Sequence, residues 1–191
     1  MDVRPILLSF QTAIIAILFT FVLGTGVAYI VFRLKNRKLK ILLNSLFTLP
    51  LVLPPTVFGF FLLTIFGVQQ PVGQFLLDFF AIQVVFSWPA TVIAAVAVSF
   101  PLMYRSALTA FEQMDSELLA VAQTLGFSES RYFRKIALPL SMNGLLAGGV
   151  LAFARGLGEF GATTMLAGNI AGKTRTLPLA IYSAVASGDW R

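Results

Sequence analysis

The 191-residue chain contains no cysteine and no histidine. Those two absences remove disulfides, thiolate nucleophiles and imidazole bases, and with them nearly all zinc, haem and iron–sulfur ligand sets. A serine–histidine dyad and the helical zinc-protease motif are excluded for the same reason, so the sequence offers neither a catalytic nor a metal site. Charge is scarce as well. Asp, Glu, Lys and Arg make up 12% of the residues and hydrophobic ones 58%, against about 25% and 45–50% in an ordinary soluble domain. Uncharged runs from Ile6 to Phe32 (27 residues) and from Ile41 to Leu77 (37 residues) exceed what a globular core buries, and the mean hydropathy is +0.87. A soluble enzyme is therefore excluded, and lipid is the solvent for most of this chain.

Fourteen basic residues against eight acidic ones give a net charge of +6. Their placement accounts for the excess without a nucleic acid partner. Arg33, Lys35, Arg37, Lys38 and Lys40 fall in one short connector, and Arg131, Arg134 and Lys135 cluster in another. Basic clusters between apolar spans mark cytoplasmic loops. The first apolar run is too long for the roughly 7–15-residue core of a signal peptide, and the larger basic cluster follows it. It is read as a retained first span with the N-terminus outside.

Four spans follow by counting, over residues 6–32, 41–66, 89–108 and 136–165, with a cytoplasmic segment at 112–135. The second span crosses Pro50, Pro54 and Pro55, which break the backbone ladder and predict a kinked or discontinuous helix whose freed carbonyls face protein or water. Gly67 to Ser87 is expected as an external connector resting at the membrane interface. The tail after Gly168 is short and mixed.

Gly168-Asn169-Ile170-Ala171-Gly172-Lys173-Thr174 looks like a phosphate-binding loop, but three residues separate its glycines where the motif needs four, and no strand precedes it. The segment at 112–135 is more informative. Asp115 can cap a helix in which Leu118, Val121, Ala122 and Leu125 recur at helical spacing, and Gly126 is placed to end it. Such a helix either rests on lipid or on its own bundle, or docks on a cytoplasmic partner.

Ala120-Val121-Ala122, three residues, Gly126, nine residues, then Ile136-Ala137-Leu138-Pro139 is similar to the signature loop of permease subunits of bacterial ABC importers. Ala120 stands where that pattern has glutamate and Val121 where it has alanine, while Glu117 lies one turn earlier. Leu49 to Pro55, Ser99 to Met103, Leu151 to Thr163 and Thr174 to Tyr182 resemble the molybdate branch of the sulfate/molybdate permeases. The resemblance implies an all-α, polytopic transmembrane bundle forming a single domain, residues 1–191, in a bacterial or archaeal plasma membrane. It implies a homodimer enclosing the pathway, two cytoplasmic ATPase subunits that use the ATP, and an external binding protein delivering molybdate or tungstate. The chain itself would bind no cofactor and catalyse no covalent reaction. The coupling helix would be Asp115, Glu117, Leu118, Ala120, Val121, Ala122, Thr124, Leu125 and Gly126, with the loop signature at Ile136, Leu138 and Pro139, and Ala122 is expected to dock in an ATPase cleft. Permeases of this branch carry one more helix after the Tyr182 region, so four spans with a fifth, C-terminal span missing is the expectation. A sulfate or thiosulfate permease, or an ion-coupled carrier or channel, is the alternative.

In the fourth span, Gly144, Gly148, Ala152 and Gly156 form a smooth stripe suited either to packing within the chain or to the subunit interface or pathway. Arg155 and Glu159 stand one turn apart and can pair. Counting about 1.5 Å per residue from Ile136 places Arg155 about 28 Å along, near the outer boundary. Two roles stay open for it, a structural pair or attraction of an oxyanion. Pro50, Pro54, Pro55, Gly148, Ala152, Arg155, Gly156 and Glu159 are the candidate pathway or packing residues.

Overall fold

The computed structural model describes residues 3–115 and 117–188. Among the described residues every regular element is helical. Helix α1 (Arg4–Arg33) carries Pro5 in its first turn, where a missing N–H costs nothing, and runs for 30 residues. Asn36 caps α2 (Arg37–Val52), its side-chain oxygen accepting the N–H groups of Lys38 at 3.0 Å and Leu39 at 3.3 Å. Pro50 is accommodated inside α2, but the pair Pro54-Pro55 is not. Leu53 and Pro54 are extended, and Pro55 opens α3 (Pro55–Phe66). The two helices are bent by 114° at this break, so residues 41–66 form a broken or re-entrant segment.

The connector expected at 67–87 contains a helix of its own, α4 (Pro71–Phe80), with Phe75, Phe79 and Phe80 exposed. Helix α5 (Trp88–Glu112) then runs through the centre of the bundle. A short α6 (Glu117–Thr124) and α7 (Glu129–Tyr132) follow, then a π-helical turn at Phe133–Ala137, α8 (Leu138–Leu140) and α9 (Met142–Leu157). In a regular helix the Pro139 ring would clash with the Lys135 carbonyl, and the widened π turn sits at that place. The chain bends by 72° between Leu140 and Met142. Helices α10 (Gly161–Ala167) and α11 (Leu177–Ser187) complete the described fold.

The stretch expected as one span at 136–165 is thus corrected to two helices, α9 and α10, preceded by the bent α8. Gly158 ends α9 and Phe160 is non-helical, because neither Gly156 nor Gly158 supplies a side chain to favour continuation. Helices α1 and α5 are each long and apolar enough to cross a membrane, and the bent pairs raise the count to as many as four if each is one span.

Small residues bring α1, α5 and α9 together. A Cβ on Gly24 would lie 2.7 Å from Met103 Cγ, one on Gly144 2.6 Å from Ala110 Cβ, and one on Gly148 2.5 Å from Ser106 Cβ. The glycine stripe of α9 therefore packs α5 of the same chain, which settles its orientation in favour of intramolecular packing. Hydroxyl pairs add interhelical hydrogen bonds, Thr12 to Thr91 and Thr20 to Ser99, both at 3.1 Å. Tyr104, Phe111, Met103, Leu108 and Leu145 fill the core at the α6 end.

Candidate functional site

Two places on this scaffold carry the chemistry the sequence singles out. The first is α6. Asp115 accepts the Glu117 N–H at 2.9 Å, which caps the helix and puts a carboxylate at its positive end. Gly126 ends it with φ +73°, and the Phe127 N–H reaches the Ala122 carbonyl at 3.0 Å while Gly126 N–H reaches Gln123 at 3.0 Å. That is the hydrogen-bond pattern of a glycine-terminated helix. It turns Phe127 back onto the core, where it joins Leu118, Leu119 and Ala122.

The expected apolar face of α6 is split by this packing. Leu118 is half-buried and Ala122 is 2% exposed within the chain's own core, whereas Val121 is 54% and Leu125 70% exposed. Glu117, Ala120 and Thr124 are exposed with them. The expectation that Ala122 docks on a partner is corrected accordingly, since its methyl group seats α6 on the permease body. Val121 and Leu125, flanked by Ala120 and Thr124, form the exposed apolar surface of α6. Ile136 and Leu138 pack beneath on the same core, and Pro139 is exposed.

Ion pairs fasten this end of the bundle. Arg33, at the end of α1, meets Glu129 of α7 at 2.5 Å, and Lys40 of α2 meets Glu112 of α5 at 2.7 Å. Tyr29, Phe32, Phe111 and Phe133 form a ring cluster beside the first pair. These contacts tie α7 and the π turn after it to α1 and α5.

The second place is where the two helix breaks meet. Pro55 and Thr56, the first residues of α3, lie against Gly161, the first of α10; a Cβ on Gly161 would stand 2.9 Å from Pro55 Cβ and 3.1 Å from the Thr56 nitrogen. Arg155 closes this corner. Its Nη1 donates to Glu159 Oε2 at 2.6 Å, and Glu159 Oε1 accepts the Ala162 N–H at 2.6 Å. The buried carboxylate is thus shared between a guanidinium and the first turn of α10. Pro55, Thr56, Arg155, Glu159, Phe160 and Gly161 border a cavity of about 230 Å³.

The depth of this corner differs from the count made along the sequence. Because the chain bends before Met142, residues 136–141 do not contribute to the rise along α9. Gly156 faces Ala95 and Ser99, its ideal Cβ 3.8 Å from Ala95 Cβ and 4.0 Å from Ser99 Oγ, near the middle of the 25-residue α5. The Arg155–Glu159 pair therefore sits near mid-length of the central helix and not at its outer end. Ala152 is buried between α9 and the core, Gly148 lies against Ser106, and Pro50 and Pro54 flank the break without lining the cavity. The loop at 168–174 spends its amides internally, with Lys173, Thr174 and Arg175 N–H groups all directed to the Ile170 carbonyl.

A transmembrane scaffold with a protruding short helix at one end and paired helix breaks at mid-length is matched by the comparisons with known proteins. Residues 16–187 match the family described as binding-protein-dependent transport system inner membrane component. The chain belongs to that family. It is 46% identical over 185 residues, 97% of this chain and 81% of the relative, to the putative molybdenum transport system permease protein YvgM of Bacillus subtilis (strain 168). It is 44% identical to molybdenum transport system permease proteins ModB of Haemophilus influenzae, over 97% of this chain and 80% of the relative, and of Escherichia coli (strain K12), over 95% and 79%. The all-α permease bundle is the fold of this inner membrane component, and its work is transport rather than catalysis.

Sequence reasoning named residues at both places but missed their surroundings. It did not find Thr56, Gly59 and Gly161, which let α3 and α10 approach until a Gly59 Cβ would be 2.7 Å from Ala162 Cα. Nor did it find the polar row Arg105, Thr109 and Gln113 on α5, although their spacing of four residues was readable as one helix face.

Proposed function

We propose that this chain is the membrane-spanning permease subunit of an ATP-driven importer for an oxyanion, molybdate or tungstate. Two copies enclose the pathway, two separate ATPase subunits hydrolyse the ATP, and an external binding protein delivers the anion. The observation that carries the reading is the corner at Arg155, where two interrupted helices present their N-terminal ends beside a guanidinium near mid-length of the bundle. Discontinuous helices at the bilayer midplane are where transporters hold charged cargo, and an ionisable pair at that depth is costly unless it is used. The names of the relatives support molybdenum as the cargo.

In this reading the basic connectors keep α6 on the cytoplasmic side and the N-terminus outside. Val121 and Leu125 dock on the ATPase. Closure of the ATPases displaces α6, the Arg33–Glu129 pair and the ring cluster carry the displacement to α1 and α5, and the bundle alternates between outward and inward states. The permease forms and breaks no covalent bond.

The test is ATP-dependent uptake in proteoliposomes containing the full-length permease with its ATPase and a binding protein, measured with labelled molybdate and with molybdate and sulfate as competitors. Saturable uptake blocked by unlabelled molybdate and not by sulfate is expected. Uptake blocked equally by sulfate reassigns the anion, and uptake without ATP rejects the ABC mechanism.

A further inference from the structure

A second cation lies on α5, away from the Arg155 corner and in a setting of its own. Among the described residues Arg105 makes no hydrogen bond and no ion pair. It borders a cavity of about 360 Å³ together with Ser106, Thr109 and Gln113, and the opposite wall is made by Gly144 and Ala147 of α9. The side chains of Ser106, Thr109 and Gln113 also have no hydrogen-bond partner among the described residues. Gln113 and Gly144 continue into an adjoining cavity of about 450 Å³, which Asn143 and Asp115 also line and which opens at the base of α6.

The donor chemistry of the first cavity is one-sided. A guanidinium, two hydroxyls and a carboxamide can all donate, and no carboxylate lines that compartment. The charged groups nearby are committed elsewhere: Glu112 is paired with Lys40, and Asp115 lies in the outer compartment with its Oδ1 accepting from Glu117 N–H. The groove is open and Arg105, Thr109 and Gln113 are exposed, so the guanidinium repels a cation and a neutral ligand only replaces its water. An acceptor-only anion satisfies the whole wall. The small residues opposite keep the space open where a larger pair of side chains would close it.

The position is also particular. Arg105 is seven residues before the end of α5, so its Cα lies about 10 Å inside that end, and about 9 Å along the axis from Ser99 beside the Arg155 corner. On α9, Ala147, Ala154 and Gly158 fall on one face at intervals of seven and four residues, and Gly158 borders the Arg155 cavity. Ala147 borders the Arg105 cavity and Gly158 the Arg155 cavity, so the two cations lie at different levels along α9, the first paired with Glu159 and the second without a protein partner among the described residues.

We infer that the α5–α9 groove is a binding station for a tetrahedral oxyanion, with Arg105 as its cation, placed to receive the anion from the Arg155 corner and release it beside α6. This rests on the permease reading above. A phospholipid headgroup offers the same phosphate-like chemistry, and the experiment separates the two sources.

The chain has no cysteine, so Arg105→Cys introduces a single thiol whose charge is set by reagent. The full permease–ATPase assembly, with its binding protein, is reconstituted and labelled-molybdate uptake is measured beside membrane level and co-purification of the ATPase. Unsubstituted permease treated with the same reagents is the control. Arg105→Cys should lower uptake about tenfold or more, the loss of one charge-assisted contact, with membrane level and co-purification of the ATPase unchanged. Aminoethyl methanethiosulfonate, which restores a cation, should recover most of it; the sulfonate and the uncharged reagents should not. Molybdate or sulfate at millimolar level should slow the modification. Normal uptake by Arg105→Cys overturns the inference, as does equal recovery with the uncharged reagent. A defect that appears only in vesicles rich in anionic lipid, with no protection by either oxyanion, assigns Arg105 to a headgroup and also overturns it. In each of those cases the unsubstituted assembly still transports, and the permease reading stands. Absence of uptake by the unsubstituted assembly rejects both.

Discussion

The Arg155–Glu159 pair gives the sharpest separation between a helix fastener and an anion guide. Glu159 Oε2 accepts from Arg155 at 2.6 Å and Oε1 from the Ala162 N–H at 2.6 Å, while the glutamate is 3% exposed. Glu159→Ala removes both acceptors and leaves a buried N–H and a guanidinium without partners. Full burial would put the loss at about 3–5 kcal/mol. The Arg155 side chain is 30% exposed, so solvent recovers part of it and about 2–3 kcal/mol is the better expectation. Glu159→Gln keeps an amide oxygen for Ala162 and should cost about half as much. Arg155→Ala strands the carboxylate, and the double alanine variant removes that stranded charge while still losing the Ala162 cap. The assay is a double-mutant cycle on full-length protein, reading membrane level and detergent thermal stability beside molybdate uptake. A fastener predicts that the double variant regains stability over Arg155→Ala and that uptake follows stability. A guide predicts regained stability with uptake still low, because the positive charge is missing where the dianion passes. Wild-type stability in both single variants would refute the energetic reasoning itself.

Further expectations concern the small helix and the small residues. Val121→Glu and Leu125→Glu should leave the permease at normal membrane level and abolish co-purification with its ATPase, whereas Ala122→Glu should reduce the permease itself because it buries an unpaired charge in the chain's own core; normal co-purification by the first two would reject docking through this face. Gly126→Ala should cost about 1 kcal/mol through the left-handed backbone alone, since no heavy atom lies within 4 Å of its ideal Cβ, and Gly126→Asn should cost less, as measured by thermal stability. Gly148→Ala should destabilise by about 1–3 kcal/mol through overpacking on Ser106, while Gly156→Ala, whose nearest contact would be 3.8 Å away, should be tolerated; equal melting temperatures would show that α9 shifts freely on α5.

The parts of the architecture that composition can report were legible. A long uncharged run marked α1, the apolar stretch at 89–108 marked α5, and three prolines announced a break that falls at Leu53 and Pro54. Asp115 and Gly126 bound α6 as their chemistry predicts. What was not legible is direction in space. Periodicity put Val121 and Ala122 on one apolar face, but a face wide enough to hold both is divided when only part of it meets the core, and α6 turns the alanine inward. Helical rise was likewise applied through Ile136 to Ser141, where a π turn and a 72° bend carry the chain sideways. Neither Pro139 nor Ser141 states a bend angle, because that angle is fixed by what α9 packs against.

The shift in depth changes what the charged pair must accomplish. Near an outer boundary, Arg155 and Glu159 would be partly hydrated and their pairing would contribute little. Close to mid-length of α5 the buried Glu159 carboxylate carries a desolvation penalty that Arg155 and the Ala162 N–H offset, while Arg155, 30% exposed, keeps part of its solvation. The pair joins the end of α9 to the first turn of α10, a contact separate from the packing of α3 on α10 through Gly59, Gly161 and Ala162. Retaining a guanidinium there gains meaning if a second anion can take the carboxylate's place during the cycle, since the same donors then serve the closed corner and the passing cargo. In that case an oxyanion on Arg155 competes with Glu159, and the free energy of the pair opposes its binding.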